Sequence, residues 1–362
     1  MSRICHLVYS FGIGGLEKLI LDMVCDSHQH FEHHIVTLTQ ADPAMIELLP
    51  SNVHIYQLNK ASGHSMSIYS TLYKQLKIIQ PDTLHSYNLA TIEYQWIAAL
   101  LRIPRRIHAE HGRDSYDPDG SNNKYRLLRK LCSPVVHKFV AVSKDLGDWL
   151  QQDVGLSLRK VQVVHNGVDT KHFYVETKQR SPKFTLGHVA RMQAIKNQTM
   201  LLDSYSQACH QDADFAINSR LVLVGDGPEL TALKQYQQAL PPLGEVVFAG
   251  AQMDVKPYYQ SFDLFILSSI AEGIPVTLLE AMSMKVAPVV TNVGGIKEVI
   301  KHQHNGLLIE SENRPQLTEA ILTLYSEPLT RARIAKHARE HVEQSYSKQQ
   351  MLSQYYRLYA AS

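Results

Sequence analysis

Cysteine is scarce: four in 362 residues, at Cys5, Cys25, Cys132 and Cys209, with no paired spacing. That pattern excludes a disulfide scaffold, and Cys5, inside an apolar run, reads as a small buried hydrophobe. A reducing cytosol is the natural setting. No run approaches the roughly 18 apolar residues of a membrane span, and the first residues lack the basic stretch, apolar stretch and cleavage site of a secretory leader. The expectation is a cytoplasmic protein, either soluble or attached at its surface to the inner face of the membrane. Low-complexity stretches and short tandem repeats are missing too, which excludes a solenoid. A net charge of +2 says little by itself, and no nucleic-acid partner is expected.

The charge is uneven, however. Between residues 102 and 144 stand ten Lys or Arg (102, 105, 106, 113, 124, 126, 129, 130, 138, 144) against four acids (110, 114, 117, 119). Such an excess can meet phosphates or an anionic membrane surface. Within it, residues 123–140 place Leu127, Leu128, Leu131 and Val135 along one helical side, flanked by Lys124, Arg126, Arg129 and Lys130. A basic amphipathic helix can lie in a membrane interface, or it can cover a sheet with its cations in water.

At this length the chain is too long for one ordinary core, and about two domains are expected. Short runs rich in Val and Ile alternate with longer helical patterns from end to end, the signature of parallel sheets covered by helices on both faces. In the first half the strand runs are 4–10, 34–39, 53–58, 83–87, 106–110 and 138–143. In the second they are 161–165, 185–190, 221–225, 246–249, 264–267, 287–291 and 306–309. The Asn166-Gly167 turn signal, with Asp169 or Thr170 as a cap, puts a hinge near 165–180. The expected domains are 1–168, 169–345 and a C-terminal helix, 346–362, crossing back to the first. In that helix Met351, Tyr355 and Leu358 share a face. Open parallel sheets bind ligands at the carboxyl ends of their strands, and two facing sheets make a cleft.

The most informative stretch is SSIAEGIPVTLLEAMSMKVAPVVTNVGGIKE, residues 268–298. Glu272 falls in a loop after a strand and Glu280 inside the following helix. Pro275 fits the first helical position, so that Gly273, Ile274, Val276 and Thr277 turn backbone N–H groups toward an anion. A ligand with phosphates in its middle and hydroxyl-rich sugars at either side suits this element, and a nucleotide diphosphate-sugar has that shape. In GHVARMQAIKNQ, Arg191 and Lys196 can clamp a diphosphate, Arg by a bidentate fork and Lys as a point charge; a solvated basic loop is the plainer alternative.

Three further strand-to-helix turns stand out. Gly12-Ile13-Gly14-Gly15 leads into a helix over 16–24, and its backbone can approach phosphate closely or be only a tight turn. The dinucleotide alternative wants an acidic residue after the second strand, where Thr37-Leu38-Thr39-Gln40 stands instead. In LVLVGDGPE, Gly227 lines a base or ribose pocket or serves only the turn, with Pro228 and Glu229 in the first helical turn. In RRIHAEHGRD, alternation puts His108 and Glu110 on one strand face, and His111 at the strand's mouth reaches the cleft or is only a structural histidine. His28, His30, His33 and His34 imitate a metal cluster but match no zinc spacing, and a solvated polar connection is the reading taken; His302 and His304 receive the same one.

In the order GIGGLEK, HNGVDTKHF, ARMQAIKN, VGDGPE and EGIPVTLLEAMSMKVAPVVTNVGGIKEVI, with seven residues between Glu272 and Glu280, the chain resembles the retaining glycosyltransferases of family four. RIHAEHGRD and DGSNNKYRLLRKL look closer still to sugar transferases associated with bacterial exopolysaccharide gene clusters. The resemblance implies the GT-B fold, two Rossmann-like doubly wound α/β domains facing across a cleft. It also implies that Gly14 and Gly15 approach the donor's phosphates and that Arg191 and Lys196 neutralise the diphosphate leaving group. Glu272 would bind hydroxyls of the transferred sugar, Glu280 the ribose, and His111 would stand beside the donor sugar. Gln193 and Ala194 depart from the glycine or proline often found in that loop.

No Asp-x-Asp metal motif appears in a suitable loop, in keeping with a family that dispenses with a divalent ion. No cofactor is implied beyond the nucleotide diphosphate-sugar as co-substrate. The implied acceptor is a glycan or polyprenyl-diphosphate-linked glycan, with the loop 113–125 as its candidate contact and residues 102–144 as a candidate membrane contact. An isomerase of nucleotide sugars on the same fold, or a non-catalytic nucleotide-binding subunit, would share these features.

Overall fold

The computed structural model describes all residues except 62, 64, 115, 176–180, 242–243 and 361–362. Parts of three expected segments, at 115, 176–180 and 361, lie outside the described residues. The chain divides into two compact units, Met1–His165 together with residues from Leu352 onward, and Asn166–Met351.

The first unit holds a seven-stranded sheet in the order β3-β2-β1-β4-β5-β6-β7. Its strands are β1 Ser2–Val8, β2 Phe31–Thr37, β3 His54–Gln57, β4 Thr83–Tyr87, β5 Arg105–Glu110, β6 Lys138–Ala141 and β7 Val161–Val163. The second holds β8 Phe184–Val189, β9 Ser219–Val224, β10 Glu245–Gly250, β11 Leu264–Leu267, β12 Ala287–Thr291 and β13 Leu307–Ile309, in the order β10-β9-β8-β11-β12-β13. Every pairing is parallel. Central strands such as β11 (LFIL) and β4 are buried along their whole length, as a sheet covered on both faces requires.

All thirteen strand runs form; 161–165, which stands with the second set of strands although the expected domain 1–168 contains it, joins the first sheet. β7 pairs with β6, Phe139 opposite Val161, and closes the first sheet. Position before an Asn-Gly turn outweighed similarity to the strands that follow.

Two of the histidines at 28–34 also differ from expectation, while His28 and His30 precede β2 and are not buried. His33 and His34 lie on β2 and are buried, because the strand begins three residues earlier than its apolar core indicates. His33 bonds His6 at 3.0 Å and Ser27 Oγ at 2.8 Å, so these rings satisfy one another inside the sheet rather than in solvent. Among the described residues no group of three His, Cys, Asp or Glu is placed to hold a metal ion.

A third correction concerns helix Asn123–Cys132. It presents Leu127 and Leu131 outward and buries Arg129, while Leu128 packs against the core and Val135 is buried, so the expected apolar side is split between solvent and protein. The reason is Glu110, buried at the end of β5, which takes Arg129 as its counter-ion.

The helix Lys348–Ala360 buries Met351, Tyr355 and Leu358 on one face. Tyr359, a turn beyond Tyr355, donates to or accepts from His85 Nδ1 at 2.7 Å within the first unit. Among the described residues no helix is long and apolar enough to cross a membrane.

Candidate functional site

In each sheet the strand order reverses once, between β1 and β4 and between β8 and β11. At such a point neighbouring connections leave on opposite faces, so a crevice opens at the carboxyl ends of the two strands. The residues singled out from sequence gather at these two places.

In the second unit β8 leads through Arg191 to the short 3-10 turn Ala194–Lys196, and β11 leads through Ser268 and Ser269 to Glu272. The two loops are tied by backbone: the Ile270 amide donates to the Ile195 carbonyl at 2.8 Å, and Ser268 Oγ donates to the carbonyls of Lys196 and Asn197 at 3.0 and 2.8 Å. Asn197, left-handed at φ 47°, ends the 3-10 turn and caps the next helix through the Met200 amide. This frame brings Lys196 Nζ to 2.6 Å from Glu272 Oε1, which also accepts Ser269 Oγ at 2.6 Å. One ammonium proton is used there and two remain for a ligand. Arg191 is exposed, and among the described residues no carboxylate pairs with its guanidinium.

Helix Val276–Ser283 starts directly after this loop. Pro275, with φ −68° and ψ 123°, is the residue before the helix rather than its first, because its extended ψ cannot begin an α-turn. Among the described residues no side chain caps this start. The amides of Val276 and Thr277, first in the helix, have no carbonyl a turn behind them and point out of it with the positive end of its dipole. Gly273 and Ile274 are buried; Ile274 packs in the core, and its carbonyl accepts Asn166 Nδ2 at 2.8 Å. Glu280, one turn inside the helix, is buried and accepts Tyr259 Oη at 2.8 Å.

Gly227 has φ 158°, and a Cβ there would meet the Met192 carbonyl at 2.3 Å. The turn after β9 is thus packed against the loop after β8, with the Met192 amide on the Asp226 carbonyl at 2.9 Å. Glycine is needed for that contact whatever the ligand. Pro228 and Glu229 precede the helix Leu230–Ala239 instead of lying in its first turn. Beneath the site His188 bonds the Ile266 carbonyl at 2.9 Å, and burial lowers its pKa to about 4, so the ring is neutral.

In the first unit Gly14 precedes the helix Gly15–Ser27, extended at φ −164°, and Gly15 has open space where a Cβ would stand. His111 follows β5; its amide donates to Asn88 Oδ1 at 2.8 Å, in the loop after β4, and its ring lies 5.7 Å from that of Tyr87. Its Nε2 is buried and, among the described residues, has no hydrogen-bond partner. Burial lowers the His111 pKa to about 4, against a smaller upward pull from Glu110. The imidazole is neutral at ordinary pH.

Next to it, alternation along β5 does bring His108 and Glu110 together, Nε2 to Oε1 at 3.2 Å. Glu110 also takes Arg129 at 2.5 and 3.1 Å, and Arg129 reaches Asp114 at 3.1 Å. Burial pushes Glu110 up, but Arg129 and His108 override it and hold the carboxyl at about 2. The loop 113–125 is pinned by Arg113 on Asp145 at 3.0 Å and by Trp149 Nε1 on the Gly120 carbonyl at 3.0 Å, while Tyr116 is exposed.

Sequence reasoning missed Ser269, Asn166, Tyr259 and Gly294, where a Cβ would stand 1.9 Å from the Glu272 carbonyl. Ser269 and Gly294 stood unremarked inside the quoted stretch. Asn166 was read only as a turn, and Tyr259 gave no signal at all.

Comparison with known proteins bears on the family and the fold. Residues 13–172 match the model described as Glycosyltransferase Family 4, and residues 171–341 the model described as Glycosyl transferases group 1. A Campylobacter jejuni protein named N,N'-diacetylbacillosaminyl-diphospho-undecaprenol alpha-1,3-N-acetylgalactosaminyltransferase is 25% identical over 340 residues, 85% of each chain. A Bacillus anthracis protein named N-acetyl-alpha-D-glucosaminyl L-malate synthase is 26% identical over 209 residues, 56% of this chain and 54% of that one. The crystal structure of Anabaena Alr3699/HepE in complex with UDP and glucose superposes with a TM-score of 0.83 at 19% identity, covering 100% of both chains. The two models together span residues 13–341, and the chain belongs to the glycosyltransferases of family four, with their GT-B fold.

Proposed function

We propose that the protein transfers a sugar, with retention at the anomeric carbon and without a metal ion, from a nucleoside diphosphate-sugar to a lipid-linked glycan acceptor at the inner face of the membrane. The product would serve a bacterial surface polysaccharide. The observation that carries this reading is the Lys196–Glu272–Ser269 cluster beside an uncapped helix start at the switch point of the second sheet. The acceptor class rests on relatives whose names include diphospho-undecaprenol.

In the reaction the bond between the sugar's anomeric carbon and the diphosphate oxygen breaks, and a bond to the acceptor hydroxyl oxygen forms. The acceptor's proton passes to a phosphate oxygen of the departing nucleoside diphosphate, so no protein nucleophile is needed. Negative charge grows on the leaving oxygens; Arg191, the two remaining N–H bonds of Lys196 and the amides of Val276 and Thr277 offset it. Glu272 keeps Oε2 for hydroxyls of the sugar, and Glu280, oriented by Tyr259, would take the ribose hydroxyls. In the first unit His111 offers a neutral imidazole that can hydrogen-bond a hydroxyl without adding charge. Gly14 and Gly15 open a helix start to phosphate, and the loop 113–125 is the acceptor candidate.

The test is a thermal-shift panel of UDP-, GDP- and ADP-sugars in EDTA, followed by release of the nucleoside diphosphate with extracted lipid-linked acceptors. One donor should stabilise the wild type and not Arg191→Ala. Conversion of the donor with no acceptor present would replace this proposal by an isomerase. Silence toward every donor would favour a non-catalytic subunit.

A further inference from the structure

Two short helices of the first unit leave large apolar side chains in water. On Gln95–Leu100, Trp96 is 50% exposed and Leu100 is 72% exposed; on Asn123–Cys132, Leu127 is 54% and Leu131 is 57% exposed. Each pair is four residues apart, so each forms a stripe along its helix. The stripes are neighbours: the Trp96 indole reaches the Cys132 thiol, and the first helix packs on the turn Ser133–Val135 that ends the second. Exposed Pro104 and Pro134 extend the same surface.

Its rim is cationic. Of the ten Lys and Arg between 102 and 144, Arg113, Arg126, Arg129 and Lys144 are paired with carboxylates, while Arg106 and Lys138 are held by carbonyls. Arg102, Lys124 and Lys130 are exposed and, among the described residues, paired with none. Glu93, the carboxylate on the Trp96 side, is turned to Tyr69 and Tyr94.

We infer that this surface docks on an anionic lipid bilayer, with Trp96, Leu100, Leu127 and Leu131 entering the headgroup boundary and Arg102, Lys124 and Lys130 meeting lipid phosphates. An indole with one wet and one apolar edge belongs at that depth, and leucines supply the buried area. A second copy fits less well, because a face paired with itself would bring these cations together. The inference deepens the lipid-linked acceptor reading, on which it rests; its test uses lipid alone, without donor or acceptor, so either can fail separately.

The full chain is floated with phosphatidylcholine vesicles with and without phosphatidylglycerol, while tryptophan emission is followed. Of the two tryptophans Trp149 is 5% exposed, so a blue shift reports Trp96. The wild type should float only with the anionic vesicles and shift blue. Leu127→Gln with Leu131→Gln, and separately Arg102→Gln with Lys130→Gln, should each lower the vesicle-binding constant about tenfold or more. Both variants should keep the wild-type melting temperature and donor response. A wild type that stays unbound at low salt, variants that float equally well, or a concentration-dependent dimer broken by the leucine variant would each overturn the proposal.

Discussion

Lys196 Nζ sits 2.6 Å from Glu272 Oε1 across 76 residues of sequence, and the pair joins the cation proposed for phosphate to the carboxylate proposed for sugar. Each orients the other. Replacing Lys196 by Met removes charge opposite the leaving oxygens, and kcat should fall about 10²- to 10³-fold with the fold intact. Glu272→Gln keeps the hydrogen bond from Ser269 and loses the ion pair; its donor KM and kcat should both worsen. Steady-state kinetics on the two variants and their double mutant check this, and additive losses would show that the residues act independently.

Gly294 should not tolerate alanine. At φ 50° it already occupies left-handed backbone, and a Cβ would stand 1.9 Å from the Glu272 carbonyl. Strain of about 1–3 kcal/mol is expected, together with a displaced Glu272 loop. A lowered melting temperature accompanied by loss of donor stabilisation would be the combined sign; a fall in stability alone would separate Gly294 from the site.

The buried trio Arg129, Glu110 and His108 gives a prediction for the first unit. Arg129→Met leaves Glu110 buried without its strongest partner, and about 3–5 kcal/mol of stability should be lost. It also removes the guanidinium lying 5.0 Å from the Trp149 ring. Urea unfolding followed by tryptophan emission measures the loss. The substitution Glu110→Gln with Arg129→Met should recover part of it.

Acid should destabilise the protein through its buried histidines. His33, His111 and His188 are lowered to about 4, and His6 and His85 well below their ordinary value, burial being the largest cause for each. Their folded pKa values lie below the unfolded value of about 6.5, so the unfolded chain takes up protons first. Stability is full above that value and falls as pH drops from about 6.5 toward about 4, by up to about 1.4 kcal/mol per pH unit for each histidine. Glu110, held at about 2, adds a second loss below about 4.5. Melting temperatures between pH 8 and pH 4 at about constant salt test the direction; a flat profile would contradict it.

The alternation of apolar runs made both sheets legible, since a strand buried on both faces must be apolar throughout, and β4, β11 and β12 were bounded to the residue. The placement of Glu272, Arg191 and Lys196 in strand-to-helix loops was legible because helix starts and glycine turns leave local marks. What escaped was set by distant partners. Arg129 reads as one more solvated cation until Glu110 is placed beneath it, and that choice turns Leu127 and Leu131 outward. His33 reads as polar until His6 and Ser27 supply its bonds. Tyr259 carries no local signal, as its meaning lies 21 residues on in Glu280.

The helix Lys348–Ala360 has a bearing on biosynthesis. Tyr359 bonds His85, 274 residues earlier, and Tyr355 and Tyr359 are fully buried with the His6, His85 and Tyr87 rings of the first unit. On the ribosome those strands emerge early, yet the side chains that seal them are translated only after all of Asn166–Met351. A nascent first unit must therefore wait with polar rings uncovered while the second is made, and a chain cut short before Leu352 would leave that unit open for good.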